Sequence, residues 1–167
     1  MSEHQAPHPG DIYARSVQNH AELAAQHTTQ FSGDNIGLSW PDGWHGLVAK
    51  VCAYAAEQRI TVRWFQIKEK FGSLRMHYKG GPLRADVNMS GRLISIEQES
   101  EGAHPIPGLH DQVKEAEAES LRTCCLCGTS EKVAQVKQRR FDGWWLTSCD
   151  ACAVPIQAYC DLPPSQR

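Results

Sequence analysis

The stretch CCLCG, residues 124–128, places three thiols within four residues of a 167-residue chain that has seven cysteines in all. Cys124 and Cys127 are separated by two residues, and the same spacing recurs at Cys149 and Cys152. Two intervening residues let both sulfurs of a tight knuckle point at one centre, and two such knuckles complete a tetrahedral shell. The spacing therefore predicts one Zn²⁺ held by Cys124, Cys127, Cys149 and Cys152.

Four thiolates fill every coordination position of that ion and leave none for water, which is typical of a structural zinc. Cys125 is then the surplus thiol of the cluster. A pairing of Cys125 with Cys127 remains an alternative, with Cys160 as a more distant substitute ligand. Dithiol redox chemistry is disfavoured, because it needs one reactive pair near a βαβ unit and the sequence predicts two pairs without such a unit.

The segment between the two cysteine pairs has the pattern of a hairpin. Asp142-Gly143 is a strong two-residue turn signal, and it lies between the strand-like runs VAQVKQRRF and WWLTS. This turn would pair Phe141 with Trp144 and return Cys149 to the first knuckle. We therefore expect a zinc-ribbon or treble-clef-like module over residues 121–160, followed by a tail at 161–167.

The preceding residues predict an α+β domain over 11–120, after a disordered tail at 1–10. Helical spacing of apolar residues begins near Asp11 and again after SWPDGW, residues 39–44. The runs ITVRWFQI and SLRMHYK, joined by KEKFG at 68–72, read as an antiparallel hairpin. GRLISIE is a candidate third strand, and LHDQVKEAEAESLR reads as an amphipathic helix. The expected architecture is N-terminal helices packed on a small antiparallel sheet.

The chain has no secretory leader pattern and no run near the ~20 apolar residues of a membrane span. Together with paired thiols suited to a reducing compartment, this predicts a cytoplasmic protein without a membrane partner. The formal charge of −2 hides segregation, because residues 59–84 carry seven basic groups and one acidic group. Such a basic segment fits either a nucleic-acid footprint or self-complementary charge within the fold.

Two basic and aromatic hairpins are the candidate partner-binding surfaces. The first hairpin has an aromatic and basic tip to which we assign no contact within the fold. This tip consists of Phe71 together with Lys68, Lys70 and Arg75, and the three cations belong to the expected outward, basic side of the hairpin. The second has Arg139, Arg140 and Trp145, where a cation–π contact between Arg140 and Trp145 would be geometrically allowed. The cations of the second hairpin could also offset the negative charge of a four-thiolate zinc centre.

The sequence predicts no enzyme. His20-Ala21-Glu22 matches half of a zinc-deaminase signature, but Thr123 precedes Cys124 where that signature needs proline. No histidine follows His110, which disfavours a His-Asn-His nuclease. The other histidines show no spacing with a nucleophile that suggests a triad.

Four motifs in order resemble an uncharacterised family of small phage and prophage zinc-binding proteins: WPDGW, QIKEKFGSLRMHY, EAEAES and GWWLTSCDACA. The most distinctive is the IKEKFGxLR pattern at 67–75, which precedes the CxxC…CxxC pairs. The chain departs from the pattern at Cys125 and in a long stretch around 81–107. The resemblance implies a mobile-element origin and, for a phage-encoded protein, the host cytoplasm, and it implies no specific activity.

Two functions follow as hypotheses. The first is a non-enzymatic, zinc-stabilised protein that binds and modulates or inhibits a host protein, including an anti-defence role. The alternative is a nucleic-acid-binding zinc-ribbon protein that acts through a basic hairpin, since arginines interleaved with aromatics suit phosphate contact and base stacking. The acidic pI and the acidic helix around 115–119 weigh against the alternative.

Overall fold

The structure is a computed structural model, and it describes residues 16–79, 83–89, 92–98, 105–163 and 165. Within these residues the fold is mixed α+β, as the sequence predicts. The helices are α1 (Ser16–Gln26), α2 (His45–Glu57), α3 (Leu109–Ser120) and α4 (Asp150–Cys160). The strands form three two-stranded antiparallel sheets: β1 (Trp64–Lys70) with β2 (Ser73–Tyr78), β3 (Leu83–Met89) with β4 (Arg92–Gln98), and β5 (Val136–Phe141) with β6 (Trp144–Cys149). The predicted tail at 1–10 and helix start at Asp11 lie outside the described residues.

The β1–β2 hairpin turns more tightly than the sequence predicts. Lys70 pairs with Ser73, so the turn consists only of Phe71 and Gly72 rather than the whole KEKFG run. Both turn residues have positive φ, 52° and 75°, as the two central positions of a hairpin turn of this kind require. The register shifts between Trp64 and Gln66, which marks a β-bulge or a similar irregularity at the start of the strand.

The outer edge of β1 is covered by the chain segment that precedes α2. The amide N–H of Ser39 donates a 2.8 Å hydrogen bond to the carbonyl of Ile67, and Ile67 N–H donates a 3.0 Å bond to the carbonyl of Gly37. This short pairing runs parallel to β1, with Leu38 opposite Ile67. Edge backbone groups that would otherwise attract another strand are therefore satisfied within the chain.

The edge of β2 is covered by side chains of α3 instead of a strand. Leu74 N–H donates to the hydroxyl of Ser120, and Met76 N–H donates to the carboxylate of Glu117, both at 2.9 Å. Ser120 and Glu117 are both buried. Helix α3 thus terminates the sheet by supplying hydrogen-bond acceptors from one of its faces.

The expectation that Arg75 lies on an outward basic surface is wrong. Arg75 is only 6% exposed, and its guanidinium lies 3.7 Å from the carboxylate of Glu117. Glu117 is itself only 4% exposed. Alternation along β2 correctly places the side chain of Arg75 on the other face of the hairpin from Leu74 and Met76. That face is also covered by the rest of the chain, so Arg75 is buried there. A buried charge of this kind persists because it is paired and hydrogen-bonded.

Residues 92–97 of the GRLISIE run do form a strand, but this strand does not extend the first sheet. Strand β4 pairs with β3, with Val87 opposite Ile94 and Ala85 opposite Ile96. Val87, Met89, Ile94 and Ile96 are exposed. The stretch around 81–107 therefore contains a separate hairpin within its described residues.

One hydrophobic core joins the helices, the first hairpin and the cysteine-rich segment. Trp40, Trp44 and Trp64 are among its largest fully buried side chains. Leu146 and Ile156 belong to the same cluster, although they follow residue 120. The predicted boundary between 11–120 and 121–160 thus crosses a continuous core.

Candidate metal centre

The first cysteine pair is carried by a tight turn whose backbone bonds to itself. Gly128 N–H donates a 2.9 Å hydrogen bond to the carbonyl of Cys124, and Cys124 N–H donates a 2.8 Å bond to the carbonyl of Thr129. Gly128 has φ +74°, a conformation that glycine adopts without steric cost. This local geometry reverses the chain immediately after Cys127 and brings its sulfur back beside that of Cys124.

The second cysteine pair is delivered by the β5–β6 hairpin and the start of α4. Asp142 and Gly143 form the turn with φ values of 45° and 92°, and Phe141 pairs with Trp144 as predicted. Cys149 is the last residue of β6 and the N-cap residue of α4, and Cys152 lies in the first turn of that helix. The positive end of the helix dipole therefore lies beside both sulfurs.

The four cysteines that the spacing selects come together in space. The sulfurs of Cys124, Cys127, Cys149 and Cys152 all lie within 4.8 Å of one another, and those of Cys127 and Cys149 are 3.8 Å apart. A tetrahedral ion with metal–sulfur bonds of ~2.3 Å needs sulfurs ~3.8 Å apart, whereas a disulfide needs ~2.05 Å. The arrangement fits a four-thiolate metal site.

The other thiols do not take part in this cluster. Cys52, Cys125 and Cys160 are buried and pack in the hydrophobic core. Burial raises the pKa of the Cys52 thiol to about 12 and that of Cys125 well above its usual value. The interpretation of Cys125 as the surplus thiol therefore agrees with its position in the core, and Cys52 is likewise a buried core thiol.

The protonation of the cluster depends on its surroundings. Burial raises the pKa of Cys124, and burial together with the charge of Cys124 raises the pKa of Cys152. Burial acts in the same direction on Cys127, but hydrogen bonds with Thr129 outweigh it and lower the pKa to about 7. A bound cation would favour the thiolate forms of Cys124 and Cys152, because metal binding displaces thiol protons.

The first knuckle is held from two sides by the rest of the fold. The indole N–H of Trp44 donates a 2.9 Å hydrogen bond to the carbonyl of Thr123, and Gly43 N–H donates a 2.9 Å bond to the carbonyl of Cys125. From the other side, Cys125 N–H donates a 2.8 Å bond to the carbonyl of Thr147 in β6. The sequence motifs WPDGW and CCLCG are therefore in direct contact, which their separation along the chain conceals.

The tip of the β1–β2 hairpin is not an unused surface. The side-chain amide of Gln138 donates a 2.9 Å hydrogen bond to the carbonyl of Phe71, and the hydroxyl of Thr147 donates a 2.5 Å bond to the carbonyl of Gly72. A Cβ at position 72 would lie 3.2 Å from the amide nitrogen of Gln138. The tip packs closely against the β5–β6 hairpin, so its backbone is occupied within the chain.

The predicted partner-binding residues are consequently divided between different environments. Lys68, Lys70, Phe71, Arg139 and Trp145 are half-buried, Arg75 is buried and Arg140 is exposed. Arg139 forms an ion pair with Asp150 at the start of α4. Sequence alternation missed Trp144, which is 51% exposed although it shares a hairpin face with the buried Phe141. Of the residues predicted on the second hairpin, Arg140 is exposed and Trp145 is half-buried, and the exposed ring of Trp144 lies at the same end of the hairpin.

A second feature that the sequence did not indicate is a group of rings around Trp40. The centroids of the His20 and Trp40 rings are 3.7 Å apart, and the Trp40 and His45 rings stack at 6.3 Å. His20 also makes a 3.1 Å hydrogen bond between its Nε2 atom and the carbonyl of Trp40. Burial lowers the pKa of His20, and the nearby His45 lowers it further against that hydrogen bond.

Comparison of the chain with protein-family models, curated protein sequences and solved structures returns no significant match. The likeness to small phage proteins consequently rests on the motifs alone. Among the described residues, none of the helices is both long and apolar enough to cross a lipid bilayer.

Proposed function

We propose that the chain is a non-enzymatic, zinc-stabilised protein of phage type that binds a host protein and modulates or inhibits it. The observation that carries the proposal is the closed set of four sulfurs at Cys124, Cys127, Cys149 and Cys152, all within 4.8 Å of one another. Four thiolates at this separation suit Zn²⁺, which favours tetrahedral sulfur coordination. Because four thiolates would leave no coordination position of the ion open to water, they support a structural role for it.

The order of elements around the sulfurs supports a treble-clef-like module. A knuckle supplies the first two thiolates, the β5–β6 hairpin follows, and the first turn of α4 supplies the last. In a zinc ribbon the second pair would come from another knuckle rather than from a helix start. The metal would thus fix the hairpin against α4 and against the knuckle between residues 124 and 127.

In the described part of the chain, metal-ligating side chains gather at one place. No other group of three or more metal-ligating side chains occurs there besides the four cysteines. His20 and His45 both lie at Trp40 rather than beside a nucleophile. The proposed function therefore assigns the activity to a binding surface, and an anti-defence inhibitor is one form that such binding would take.

The hairpin end with Arg140, Trp144 and Trp145 supports a protein partner. Arginine and tryptophan are the residues most enriched at the energetic centres of protein interfaces. Trp144 is 51% exposed. Covering its ring with a partner would be favourable, because this removes a large apolar surface from water.

Nucleic-acid binding is the second candidate, and it is favoured by exposed Lys137 and Arg140 on the same strand near Trp145. It is weakened by the burial of Arg75 and by the packing of the first hairpin, which remove part of the expected basic surface. A polyanion would also meet Asp142 at the hairpin turn. The two candidates differ in salt dependence, because phosphate contacts release counterions.

Affinity capture with the zinc-loaded chain tests the proposal. Host lysate is treated with nuclease, passed over the immobilised protein at 50 mM and 300 mM salt, and analysed by mass spectrometry. We expect one protein to be retained in near-stoichiometric amount at both salt concentrations, and to be lost from a Cys149→Ser column. Retention of nucleic acid alone at low salt would favour the second candidate, and an empty column would contradict both.

A further inference from the structure

A groove between β5 and α4 lies beside the metal centre, on the far side of the hairpin from the β1–β2 tip. Its volume is about 320 Å³. The lining residues include Arg139, Arg140, Phe141, Asp150, Ala153 and Val154. A volume at the lower end of the range of ligand pockets, roughly 300–1,000 Å³, suits one or two inserted side chains better than a large cofactor.

The base of the groove is apolar and one wall is unusually exposed. Phe141 is 3% exposed and forms the buried part, whereas Val154 on α4 is 69% exposed. Trp144 pairs with Phe141 across the hairpin, so its half-exposed ring lies on the same face. Covering Val154 and the accessible part of Trp144 would remove apolar surface from water, which is the favourable term in most protein association.

The rim of the groove carries a positive charge. Two guanidinium groups, those of Arg139 and Arg140, face one carboxylate, that of Asp150. Arg139 already contacts Asp150 through one terminal nitrogen, but its Nε atom is buried and has no hydrogen-bond partner among the described residues. Because this atom is buried, an acceptor on a partner would not reach it in this conformation. Arg140 is exposed and offers a further cation.

We propose that this groove binds an acidic segment of a protein partner. An apolar side chain of the segment would lie against Phe141 and Val154, and its carboxylates would accept hydrogen bonds from Arg140. Charged hydrogen bonds of arginine to carboxylate are directional and strong, so they would fix the orientation of the segment. This inference rests on the proposed function and specifies the chemistry of the partner.

A protein segment fits this groove better than a nucleic acid does. Asp150 lines the groove and would repel any anion beside it, so an anionic group of the partner is expected at Arg140 rather than at the Arg139–Asp150 pair. Phe141 and Val154 offer apolar surface to an apolar side chain, which a nucleic acid does not carry, and the amide of Gln157 is the polar group on the helix wall beside them. Because α4 begins at the metal ligands Cys149 and Cys152, the wall is held in place before the segment binds, which lowers the entropic cost of binding.

A displayed library of random dodecapeptides, selected on the zinc-loaded chain and counter-selected on Val154→Glu, tests the proposal. We expect enriched peptides to carry several aspartates or glutamates around one large apolar residue. Their affinity, measured by fluorescence polarisation, should fall at least tenfold in Val154→Glu and in Arg140→Glu. Both positions are exposed, so these variants should fold, and zinc content is measured to check that they do.

The matched controls are Val133→Glu and Lys137→Glu. Val133 is 82% exposed and lies outside the groove, and Lys137 is an exposed cation on the same strand that does not line it. Neither control should change peptide affinity by more than about twofold. Enrichment of peptides without an acidic bias, or losses of affinity in the controls equal to those in the groove variants, would each overturn the proposal. It would also be overturned if labelled poly(dT) bound more tightly than the peptides, with a strong salt dependence and with a loss of affinity in Arg140→Glu.

Repeating the lysate capture with Val154→Glu separates this inference from the proposed function. If the wild-type chain retains a host protein and Val154→Glu retains it equally well, the proposed function stands and the groove assignment fails. If neither column retains a protein, the proposed function itself fails. Loss of the protein only from the Val154→Glu and Arg140→Glu columns supports both.

Discussion

Gly43 lies directly against the backbone of Cys124. A Cβ atom at position 43 would be 2.2 Å from the carbonyl oxygen of Cys124 and 2.6 Å from the carbonyl carbon of Cys125. Real Cβ atoms do not approach backbone atoms this closely, and a carbonyl of the knuckle cannot rotate away as a flexible side chain would. The turn before α2 and the metal-binding knuckle therefore fit together only because residue 43 has no side chain.

Gly43→Ala should consequently destabilise the protein and weaken zinc binding. Overpacking against well-ordered groups costs about 1–3 kcal/mol and sometimes more, and we expect about 3 kcal/mol because both neighbours are backbone atoms. Urea unfolding of the zinc-loaded protein measures the change in free energy of unfolding. Competition with a chromophoric chelator measures the change in zinc affinity.

Gly46→Ala is the control for that substitution. Gly46 lies in α2, and a Cβ there would meet no atom within 4 Å. Alanine favours the helical state over glycine by up to about 1 kcal/mol, so this variant should be as stable as the wild type or slightly more stable. Equal effects of the two substitutions would show that the close approach of Gly43 to the knuckle does not matter.

The metal cluster could be predicted from sequence because its information is local. The spacing of Cys124 and Cys127, the turn at Asp142-Gly143 and the return to Cys149 each follow from short-range geometry. The burial of Arg75 could not be predicted from local sequence patterns. Alternation indicates on which side of a strand a residue lies, but it does not indicate what covers that side. The contact of Gly43 with Cys124 likewise joins residues 81 positions apart, and no local pattern encodes it.

The assignment of the surplus thiol predicts different outcomes at neighbouring cysteines. Cys125→Ala should retain about one zinc ion per chain, because Cys125 packs in the core outside the cluster. It should cost roughly 1 kcal/mol of stability through the lost volume. Cys124→Ser should abolish stoichiometric zinc. Elemental mass spectrometry measures the zinc content of both variants. Zinc retained in Cys124→Ser but lost in Cys125→Ala would reverse the assignment of the surplus thiol.

The buried ion pair between Arg75 and Glu117 predicts a large effect of removing one partner. Glu117→Ala leaves the guanidinium of Arg75 without this carboxylate and deprives Met76 N–H of its acceptor. We expect a loss of about 3–5 kcal/mol in the free energy of unfolding. Glu115→Ala is the control, because Glu115 pairs with Lys50 on the exposed face of α3 and should cost less than about 1 kcal/mol. Similar small losses in both variants would contradict the assignment of a buried pair.

The lowered pKa of His20 predicts a pH dependence of stability. Burial keeps the folded-state pKa below the ordinary value of 6.5, so the folded state disfavours the protonated ring. The unfolded state therefore binds more protons as the pH falls through 6.5, and stability is present above that pH and lost below it. His20→Gln should lose less stability than the wild type between pH 7.5 and 5.5. Parallel stability curves, measured by urea unfolding at each pH, would argue against this role of His20.

Metal removal should affect more than the segment 121–160. The sequence alone predicts that chelation unfolds this segment, but Trp44 donates a hydrogen bond to Thr123 and Gly43 donates one to Cys125. Structural zinc can contribute about 10–16 kcal/mol of apparent binding free energy, as much as a whole domain's stability. We therefore expect EDTA to accelerate amide hydrogen exchange at 41–48 together with 121–160, and added zinc to restore protection at both. Faster exchange confined to 121–160 would show instead that the metal-binding segment unfolds independently of the core that it shares with α2.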